Sequence, residues 1–430
     1  MVPEPEPGRT LAVVGGGWAG IAAAVRAVEQ GWRTTLFETA AQLGGRARRV
    51  EVDGLALDNG QHILIGAYAR TLDLMRTVGS EVDTVLARLP FVLRYPDGRG
   101  LALPSGPPAL AFVRAMLAAR GWSAHDRLRL AAQALRWALA GFRCDPQLSA
   151  AQLSARLPAA VREDLIEPLC VAALNTPAAQ ASAAVLLRVL HDALFGAAGA
   201  SDLLLPRRTL SELLPEPAAR WLTAHGAALH LGTRVRALER DGARWRVDGR
   251  PFDAVVLACT PPEAARLAGP SAPTWAAAAA DFDYEPIVTV YLRCAGARLA
   301  EPMMALRTGA EAPAQFAFDH GAIGATPGVF AFVVSGARSW VERGLAATAA
   351  AVTAQARQAF GAAAWPGGLT LVRVLAEKRA TFRCTPGLVR PRCEIAPGLS
   401  AAGDYVEGPY PATLEGAVRC GEEALRHLAR

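Results

Sequence analysis

The sequence TLAVVGGGWAG, residues 10–20, is the clearest indication of the fold, because a short apolar run passes directly into three glycines. Within it, Gly15, Gly17 and Gly20 form the pattern G-x-G-x-x-G. The first glycine of this pattern allows a tight turn, the second lets backbone amides approach a pyrophosphate, and the third lets a helix pack closely on a strand. The stretch therefore predicts a turn that binds the phosphates of a dinucleotide.

The residues on either side supply the elements that such a turn needs. Hydrophobic patterning predicts a strand over Thr10 to Gly15, a helix over Trp18 to Gln30, and a second strand over Arg33 to Glu38. This is the β-α-β unit of a parallel, doubly wound sheet, whose helix directs its positive end at the phosphates. Glu38 ends the second strand, where a carboxylate binds both hydroxyls of an adenosine ribose that carries no 2′-phosphate.

Length and composition limit the class of protein. A chain of 430 residues favours two lobes, and although 52% of it is hydrophobic, we find no window of about 18 residues without charge that would span a membrane. The opening MVPEPEPGRT does not resemble a signal peptide, so we expect a cytoplasmic protein. The seven scattered cysteines predict reduced thiols and no metal site. The net charge is +6, but the sequence has no basic run interleaved with aromatic residues, which argues against binding of nucleic acid. A basic surface could instead favour contact with anionic lipid.

The pattern changes after about residue 90. A hairpin is predicted around Asp97-Gly98, followed by helices rich in Ala, Leu and Arg over 108–142 and 149–195. Further strands are predicted over 254–258, 287–293, 329–334 and 369–375. We therefore expect an α/β fold with a Rossmann-like dinucleotide-binding domain (1–90, 205–262 and 376–430). Into it is inserted a substrate domain of antiparallel sheet plus helices (91–204 and 263–375).

Two more motifs belong with the first. LGGRAR, residues 43–48, can curl under a cofactor, and its Arg46 can place a guanidinium on a phosphate edge. Near the other end of the sequence stand AAGD, residues 401–404, and YPATLEGAV, residues 410–418. In this order, the motifs resemble those of the flavoprotein amine oxidase and phytoene (carotenoid) desaturase superfamily. The resemblance implies a two-domain fold like that of the amine oxidases, with FAD as the cofactor.

The resemblance also implies which residues contact FAD. Gly403 and Asp404 reach the ribityl chain and pyrophosphate, and the backbone of Val235 meets the adenine. The start of the last helix faces the flavin ring with backbone amides, which would stabilise an anionic reduced ring. The complete set of expected cofactor-binding residues is Gly15, Gly17, Gly20, Glu38, Gly45, Arg46, Gly60, Gln61, His62, Val235, Gly403, Asp404, Glu415, Gly416, Ala417 and Val418.

A more specific resemblance comes from DNGQHILIGAY, residues 58–68. Together with EPLCVAALNTPAAQASA (167–183), SDLLLPR (201–207) and EKRATF (377–382), it is similar to the hydroxysqualene dehydroxylases of squalene and hopanoid biosynthesis. In these squalene-associated, FAD-dependent desaturases the first segment runs beneath the isoalloxazine ring. His62 would then either act in catalysis or be a buried histidine that holds the loop of Asp58.

The resemblance implies reduction of an allylic alcohol, hydroxysqualene, to squalene, with hydride from flavin N5 and loss of water. Such a hydroxyl leaves only when protonated, and the candidates for the acid are His62, Tyr410 and, if burial raises its pKa, Glu407. Arg379 is expected to shape the wall over the flavin. Two alternatives stay open, namely an oxidative isoprenoid desaturase or amine oxidase, and a non-catalytic carrier of isoprenoids. No second G-x-G-x-x-G follows a strand, so no NAD(P)H site is evident and the electron donor is unidentified, either a diffusible reductant or a partner enzyme.

The helical region suits a long apolar isoprenoid substrate. Residues 165–174 and 183–195 are nearly continuous aliphatic helices, as in a tunnel or an ordinary core. Within 126–143, one predicted helical face carries Leu128, Ala131, Leu135, Ala138, Leu139 and Phe142, and another carries Arg129, Gln133, Arg136 and Arg143. This helix either packs on its own domain or makes peripheral contact with the inner face of the cytoplasmic membrane.

Overall fold

The computed structural model describes residues 8–104 and 106–428, so the first seven residues of the opening segment lie outside it. The strands are β1 Thr10–Val14, β2 Arg33–Phe37, β3 Arg49–Val52, β4 Leu55–Asp58, β5 Leu64–Ile65, β6 Leu86–Leu89, β7 Val92–Arg94, β8 Gly100–Ala102, β9 Leu203–Pro206, β10 Ala228–His230, β11 Leu238–Asp241, β12 Arg244–Val247, β13 Arg250–Phe252, β14 Ala254–Leu257, β15 Tyr284–Arg293, β16 Met303–Ala305, β17 Phe316–Asp319, β18 Val329–Val334, β19 Thr370–Phe382, β20 Glu394–Ala396 and β21 Leu399–Ala401.

The helices alternate with these strands, and one turn each of π-helix (Arg162–Ile166) and 3₁₀-helix (Ala362–Ala364) accompanies them. They are α1 Trp18–Glu29, α2 Ala69–Thr77, α3 Val82–Val85, α4 Pro108–Ala118, α5 Ala124–Leu139, α6 Ala150–Leu153, α7 Ala159–Val161, α8 Glu167–Leu174, α9 Ala183–Phe195, α10 Leu210–Leu213, α11 Pro215–Ala224, α12 Pro261–Ala268, α13 Pro273–Ala280, α14 His320–Ile323, α15 Arg338–Arg343, α16 Leu345–Phe360 and α17 Leu414–Leu428.

A six-stranded sheet carries the predicted β-α-β unit, in the order β10-β2-β1-β14-β21-β20. The first five strands are parallel, and β20 pairs antiparallel with β21 at the edge. Leu11 lies between Thr34 of β2 and Ala254 of β14 in the register. Because parallel strands end at one edge, the loops after β1, β2, β14 and β21 meet there and form a crevice. The strands come from the beginning, the middle and the end of the chain.

A separate five-stranded antiparallel sheet has the order β16-β17-β18-β15-β19, which confirms the predicted α/β class with added antiparallel sheet. Val288 and Val290 of β15 pack with Val352 and Ala356 of α16 in a core of their own. The long strand β19 continues to Phe382, so the predicted boundary between 375 and 376 falls inside a strand. The residue boundaries of the two domains otherwise remain a prediction.

The helical region is more divided than the sequence predicted. The helix expected over 108–142 is broken at 119–123, where Gly121 has φ of +87° and Ser123 begins α5 with a capping box completed by Asp126. Four helices of 3 to 13 residues occupy 149–195, where the π-helical turn joins α7 to α8 and Asn175 ends α8 in the left-handed conformation. Local backbone signals therefore outweighed the general helix propensity of Ala and Leu.

Helices α1 and α17 pack against each other, which fixes the last helix beside the first. Gly421 is buried at their contact, where an added Cβ would overlap the carbonyl oxygen of Ala19. Across the same contact, Arg26 Nε lies 3.0 Å from Glu422 Oε1, and Arg26 Nη2 lies 2.5 Å from Oδ2 of Asp73 on the neighbouring helix α2. The close approach of the two helices brings the carboxyl-terminal segment to the sheet edge near residues 15–20.

We predict that Gly421→Ala lowers the free energy of unfolding by about 1–3 kcal/mol, because the added methyl group separates two packed backbones. Thermal unfolding of purified protein measures the change. Gly367→Ala is the matched control, since a Cβ there meets open space. Equal stability of the two variants would show that α1 and α17 do not pack this closely.

Candidate functional site

The glycines of residues 15–20 divide their tasks as the pattern predicts. Gly15 has φ of +114°, a conformation that favours glycine, and it lines the large cavity of the structure. Gly17 also lines this cavity, and an added Cβ there would have only the Cα of Gly45 within reach, at 4.0 Å. Gly20 lies outside the cavity wall, and an added Cβ would overlap Gly15 O. The first two glycines thus line the site, and the third allows α1 to pack closely on the end of β1.

Glu38 stands at the end of β2 and lines the same cavity. Its Oε2 accepts a hydrogen bond from the amide of Gly16 at 2.6 Å, and its Oε1 accepts one from the amide of Ala40 at 2.7 Å. A carboxylate oxygen can accept more than one hydrogen bond. The two amides therefore fix the side chain in place, and each oxygen can still accept a hydrogen bond from a hydroxyl. This is the arrangement that ribose recognition needs.

Arg46 connects the amino-terminal loop to the carboxyl-terminal segment. Its Nη2 lies 2.7 Å from Asp404 Oδ1, and its Nη1 donates to Ala380 O at 2.7 Å. We expected this guanidinium to meet a phosphate, whereas the structure pairs it with a carboxylate. Arg46, Asp404, Gly45 and Gly403 all line the cavity that Gly17 lines. The two ends of the sequence therefore meet at one site.

The start of α17 differs in part from the prediction. The amide of Gly416 donates to Thr413 Oγ1 at 3.0 Å, and the amide of Ala417 donates to Thr413 O at 3.0 Å. These two donors are used within the first helical turn, and the contact of this helix start with a flavin ring remains a prediction. Ala417 lines the cavity, whereas Gly416 does not, and Val418 is fully buried in the core beneath it.

Glu415 has a clear structural task. Its side chain is 1% exposed, and its Oε2 accepts hydrogen bonds from the amide of Thr71 at 2.9 Å and from Thr71 Oγ1 at 2.8 Å. Arg419 Nε donates to the other oxygen at 2.7 Å. Since the amide groups at the start of a helix lack partners within it, Glu415 holds α2 against α17 by satisfying them.

The polar residues 58 and 59 brace the backbone beside the cavity. Asp58 Oδ1 accepts from the amide of Leu210 at 2.8 Å, and Tyr291 Oη donates to Asp58 O at 3.0 Å. Burial raises the pKa of Asp58 to about 7. Asn59 Nδ2 donates to Arg46 O, which joins this segment to the loop of residues 43–48. Asp58 does not line the cavity, so its polarity serves the fold.

Gly60, Gln61 and His62 line the cavity, and their contact with a cofactor remains a prediction. His62 Nδ1 lies 2.8 Å from Gly60 O, and because a carbonyl oxygen only accepts, Nδ1 must carry the proton. Burial lowers the pKa of His62, so the neutral ring presents Nε2 as an acceptor near pH 7. Gln61 Oε1 lies 2.9 Å from Nε2 of His320, another buried histidine, whose pKa burial lowers to about 4. Because both His62 and His320 are neutral near pH 7, they are better suited to positioning neighbouring groups and accepting hydrogen bonds than to donating protons.

The cavity measures about 640 Å³, and away from the glycine loops its wall is apolar. The side chains of this part come from β7, β8, α4, the π-helical turn, α8, α9 and the five-stranded sheet. They include Phe91, Leu93, Leu101, Leu103, Phe112, Leu165, Leu169, Leu186, Val189, Leu190, Ile287, Met303, Phe316 and Phe318. A wall of this composition suits a long hydrocarbon.

A polar cluster interrupts this wall at Tyr410 and Asp192. Arg188 Nη2 donates to Tyr410 Oη at 3.2 Å, Arg188 Nε donates to Asp192 Oδ2 at 3.1 Å, and Tyr410 also hydrogen-bonds Asp192. The guanidinium carbons of Arg188 and Arg419 each lie 5.2 Å from the centre of the Tyr410 ring. Burial raises the pKa of Tyr410. The hydroxyl thus stands between two cations and a carboxylate.

Three other predicted residues have a plain outcome. Val235 is 3% exposed and lines the cavity. Arg379 is exposed and does not line the cavity; its guanidinium carbon lies 5.7 Å from the ring centre of Tyr284, so its assignment to the catalytic wall is not supported. Glu407 is exposed as well, which removes the burial that its role as an acid required.

The sequence interpretation missed Arg188, Asp192 and His320. Arg188 and Asp192 are four residues apart in α9, a helix made mostly of aliphatic residues, and this spacing on one helical face was an available signal. His320 follows β17 at a distance of 259 positions from Gln61, and no local pattern connects the two. Over residues 8–104 and 106–428, no group of three or more His, Cys, Asp or Glu is arranged for a metal, and no helix is long and apolar enough to cross a bilayer.

Known proteins similar to this chain share its length and its fold. Hydroxysqualene dehydroxylase of Rhodopseudomonas palustris is 29% identical over 442 residues, and that of Sinorhizobium fredii is 27% identical over 440 residues; each match covers 97% of both chains. An oxidoreductase of known structure from Methanosarcina mazei superposes with a TM-score of 0.74 at 15% identity, over 97% of this chain and 100% of that one.

The family described as flavin containing amine oxidoreductase matches residues 18–428, which is nearly the whole sequence. Its cofactor agrees with the glycine loops, the ribose acid and the joined chain ends. The chain therefore belongs to the flavin-containing amine oxidoreductase family and is an FAD-dependent oxidoreductase.

Proposed function

We propose that this enzyme reduces hydroxysqualene to squalene, with loss of water, in squalene and hopanoid biosynthesis. The observation that carries the proposal is one cavity that joins a dinucleotide crevice to a largely apolar wall, in which Tyr410 and Asp192 form a polar cluster. The full-length similarity to proteins named hydroxysqualene dehydroxylase supports the same substrate.

The residues that would hold FAD are those that line the crevice. Gly17 and Gly45 pack backbone against backbone and project no side chain into the crevice, which leaves it open to a pyrophosphate, and Glu38 is placed to bind the ribose. Asp404 would contact the cofactor from the carboxyl-terminal side, in a position that Arg46 fixes. Reduced FAD supplies the hydride. Val235 and the segment Gly60 to His62 complete the set that we assign to cofactor binding.

The chemistry demands one proton and one hydride for each substrate molecule. The allylic C–O bond breaks, a C–H bond forms at the carbon, and the hydroxyl leaves as water after it is protonated. An apolar wall penalises a free allylic cation, so departure of water and arrival of hydride must be closely coupled. The aromatic side chains of Phe112, Phe316 and Phe318 line the same wall and present π-faces to developing positive charge.

Tyr410 is the residue that we assign as proton donor. Its Oη accepts from Arg188 and donates to the Asp192 carboxylate, so the phenol proton turns from Asp192 to the substrate oxygen when the alcohol binds. Transfer of that proton produces a phenolate, which the nearby guanidinium groups of Arg188 and Arg419 stabilise. His62 fits this task less well, since its exposed nitrogen is an acceptor in the neutral ring. We assign His62 to positioning the loop beside the cofactor.

Two further parts of the proposal concern partners and place. The electron donor that reduces FAD is a separate, unidentified partner. The enzyme works in the cytoplasm at the inner face of the cytoplasmic membrane, because a C30 alcohol dissolves in lipid and not in water.

We predict that Glu38→Ala weakens FAD binding about tenfold to a hundredfold, since a charged hydrogen-bond partner contributes about 1.5–3 kcal/mol. Titration of apoprotein with FAD, followed by flavin fluorescence, measures the dissociation constant. Glu239→Ala removes an exposed acid on β11 and should leave binding unchanged. Equal affinity of the two variants would contradict the ribose assignment.

The activity itself is tested without oxygen. Holoenzyme with pre-reduced FAD and hydroxysqualene should yield squalene and oxidised flavin in equal amounts. The rival oxidative activity predicts instead that oxidised holoenzyme converts squalene to a more unsaturated polyene. A carrier without catalysis would bind the isoprenoid and change neither the flavin nor the lipid, and this result would end the proposal.

We predict that Tyr410→Phe slows single-turnover oxidation of reduced flavin by hydroxysqualene about a hundredfold or more, the usual contribution of a general acid. FAD affinity should stay at the wild-type value, because the change removes one hydroxyl only. His62→Ala is the comparison variant, and we expect a smaller effect on the rate. If His62→Ala is the slower of the two, the assignment of the acid is wrong.

A further inference from the structure

Exposed apolar side chains are concentrated on two neighbouring helices, α4 and α5. Among the described residues, six of the ten exposed large hydrophobics lie there. They are Leu110, Val113 and Leu117 on α4, and Leu128, Leu135 and Leu139 on α5; Leu139 is 79% exposed and Leu128 is 69% exposed. Apolar groups clustered in this way mark an interaction surface, whereas isolated ones need no explanation. We call these six residues the α4–α5 surface.

The orientation of α5 makes this surface unusual. The side chains that α5 buries are Leu130, Gln133 and Trp137. The leucines 128, 135 and 139 share a helical face, and they point to solvent. A helix that packed only on its own domain would bury its leucines and expose its glutamine.

The charges around the surface are mostly positive. Arg114, Arg129, Arg136 and Arg143 are all exposed on these helices or just beyond them. The acid on α5, Asp126, is engaged by Ser123, whose amide and Oγ each lie 2.8 Å from Asp126 Oδ2. Arginine beside exposed leucine complements an anionic lipid surface, where headgroups meet the cations and acyl chains receive the leucines.

Helix α4 also separates this surface from the cavity. Its Phe112 lines the apolar part of the cavity, while its Val113 and Leu117 are exposed. The helix packs against α9, which contributes Leu186 and Leu190 to the cavity wall. The outward leucines and the cavity therefore lie on two sides of one helix.

We propose that the α4–α5 surface docks on an anionic lipid bilayer and that the hydrocarbon substrate passes from the bilayer into the cavity beside α4. Docking follows from the leucines and arginines alone, whereas substrate passage rests on the proposed function. The leucines insert at the level of the headgroups, and the arginines remain in contact with phosphates. The surface lies on the membrane and does not cross it.

The test is flotation of holoenzyme with vesicles of phosphatidylcholine, with or without phosphatidylglycerol. We expect binding to the mixed vesicles, weaker binding to phosphatidylcholine alone, and weakening by salt. The triple variant Leu128→Ser, Leu135→Ser, Leu139→Ser should bind about a hundredfold more weakly, because it removes three apolar anchors. Arg129→Gln with Arg136→Gln should bind about thirtyfold more weakly, at about 1 kcal/mol for each arginine.

The matched control is Leu371→Ser with Val389→Ser, which changes two exposed apolar residues outside α4 and α5 and should leave vesicle binding intact. Thermal unfolding and FAD content confirm that each variant is folded. Absence of wild-type binding to the mixed vesicles, or an equal loss in the control variant, would overturn the proposal. So would a concentration-dependent dimer in analytical ultracentrifugation that the triple variant abolishes, since a second copy would then occupy the surface.

Turnover separates this inference from the proposed function. With hydroxysqualene in detergent micelles, the triple variant should match the wild-type rate, whereas with hydroxysqualene in vesicles it should be slower about in proportion to lost binding. Vesicle binding without any turnover would contradict the proposed function and leave the docking surface standing. Normal turnover from vesicles by the triple variant would contradict the docking surface and leave the function standing.

Discussion

The ion pair between Arg46 and Asp404 is the contact on which the site depends. It joins a loop that follows β2 to a segment that follows β21, and these positions are 358 residues apart in the sequence. The parallel sheet makes the pair possible, because both strands end at the same edge. The carboxylate of Asp404 is nearly buried, so the guanidinium that accompanies it offsets the cost of removing that charge from water.

The cavity next to this pair combines two opposite requirements. A dinucleotide needs backbone amides, a ribose acid and fixed charges, whereas a long isoprenoid needs a wall without them. The cavity offers both, because the loops of the parallel sheet build the first part, and α4, α8, α9 and the antiparallel sheet build an apolar wall that suits the isoprenoid we propose. Most polar groups near the apolar part are hydrogen-bonded within the protein, so the few that face the cavity are the candidates for contact with a substrate. Tyr410 and Asp192 are the clearest of these.

Residues 58–62 show how a polar motif can serve structure and site together. Asp58 and Asn59 satisfy backbone groups of neighbouring segments, and this holds the next three residues against the cavity. His62 is fixed by its hydrogen bond to Gly60 O, which also decides its tautomer. Of the four polar side chains in this motif, Asp58 braces the backbone away from the cavity, Asn59 braces it and lines the cavity, and Gln61 and His62 line the cavity. Their spacing in the sequence does not distinguish these roles.

The features of this protein that depend on local geometry could be predicted from the residues alone. The β-α-β unit, the glycine turn, the position of Glu38 at the end of β2 and the order of the motifs follow from short stretches whose backbone needs are specific, as at Gly15. Packing between distant segments sets which face of α5 is exposed. It also brings Arg46 to Asp404, and it places Arg188 and Asp192 beside Tyr410. The reason is physical: periodicity fixes which residues share a face of an element, whereas packing between distant segments decides what that face meets.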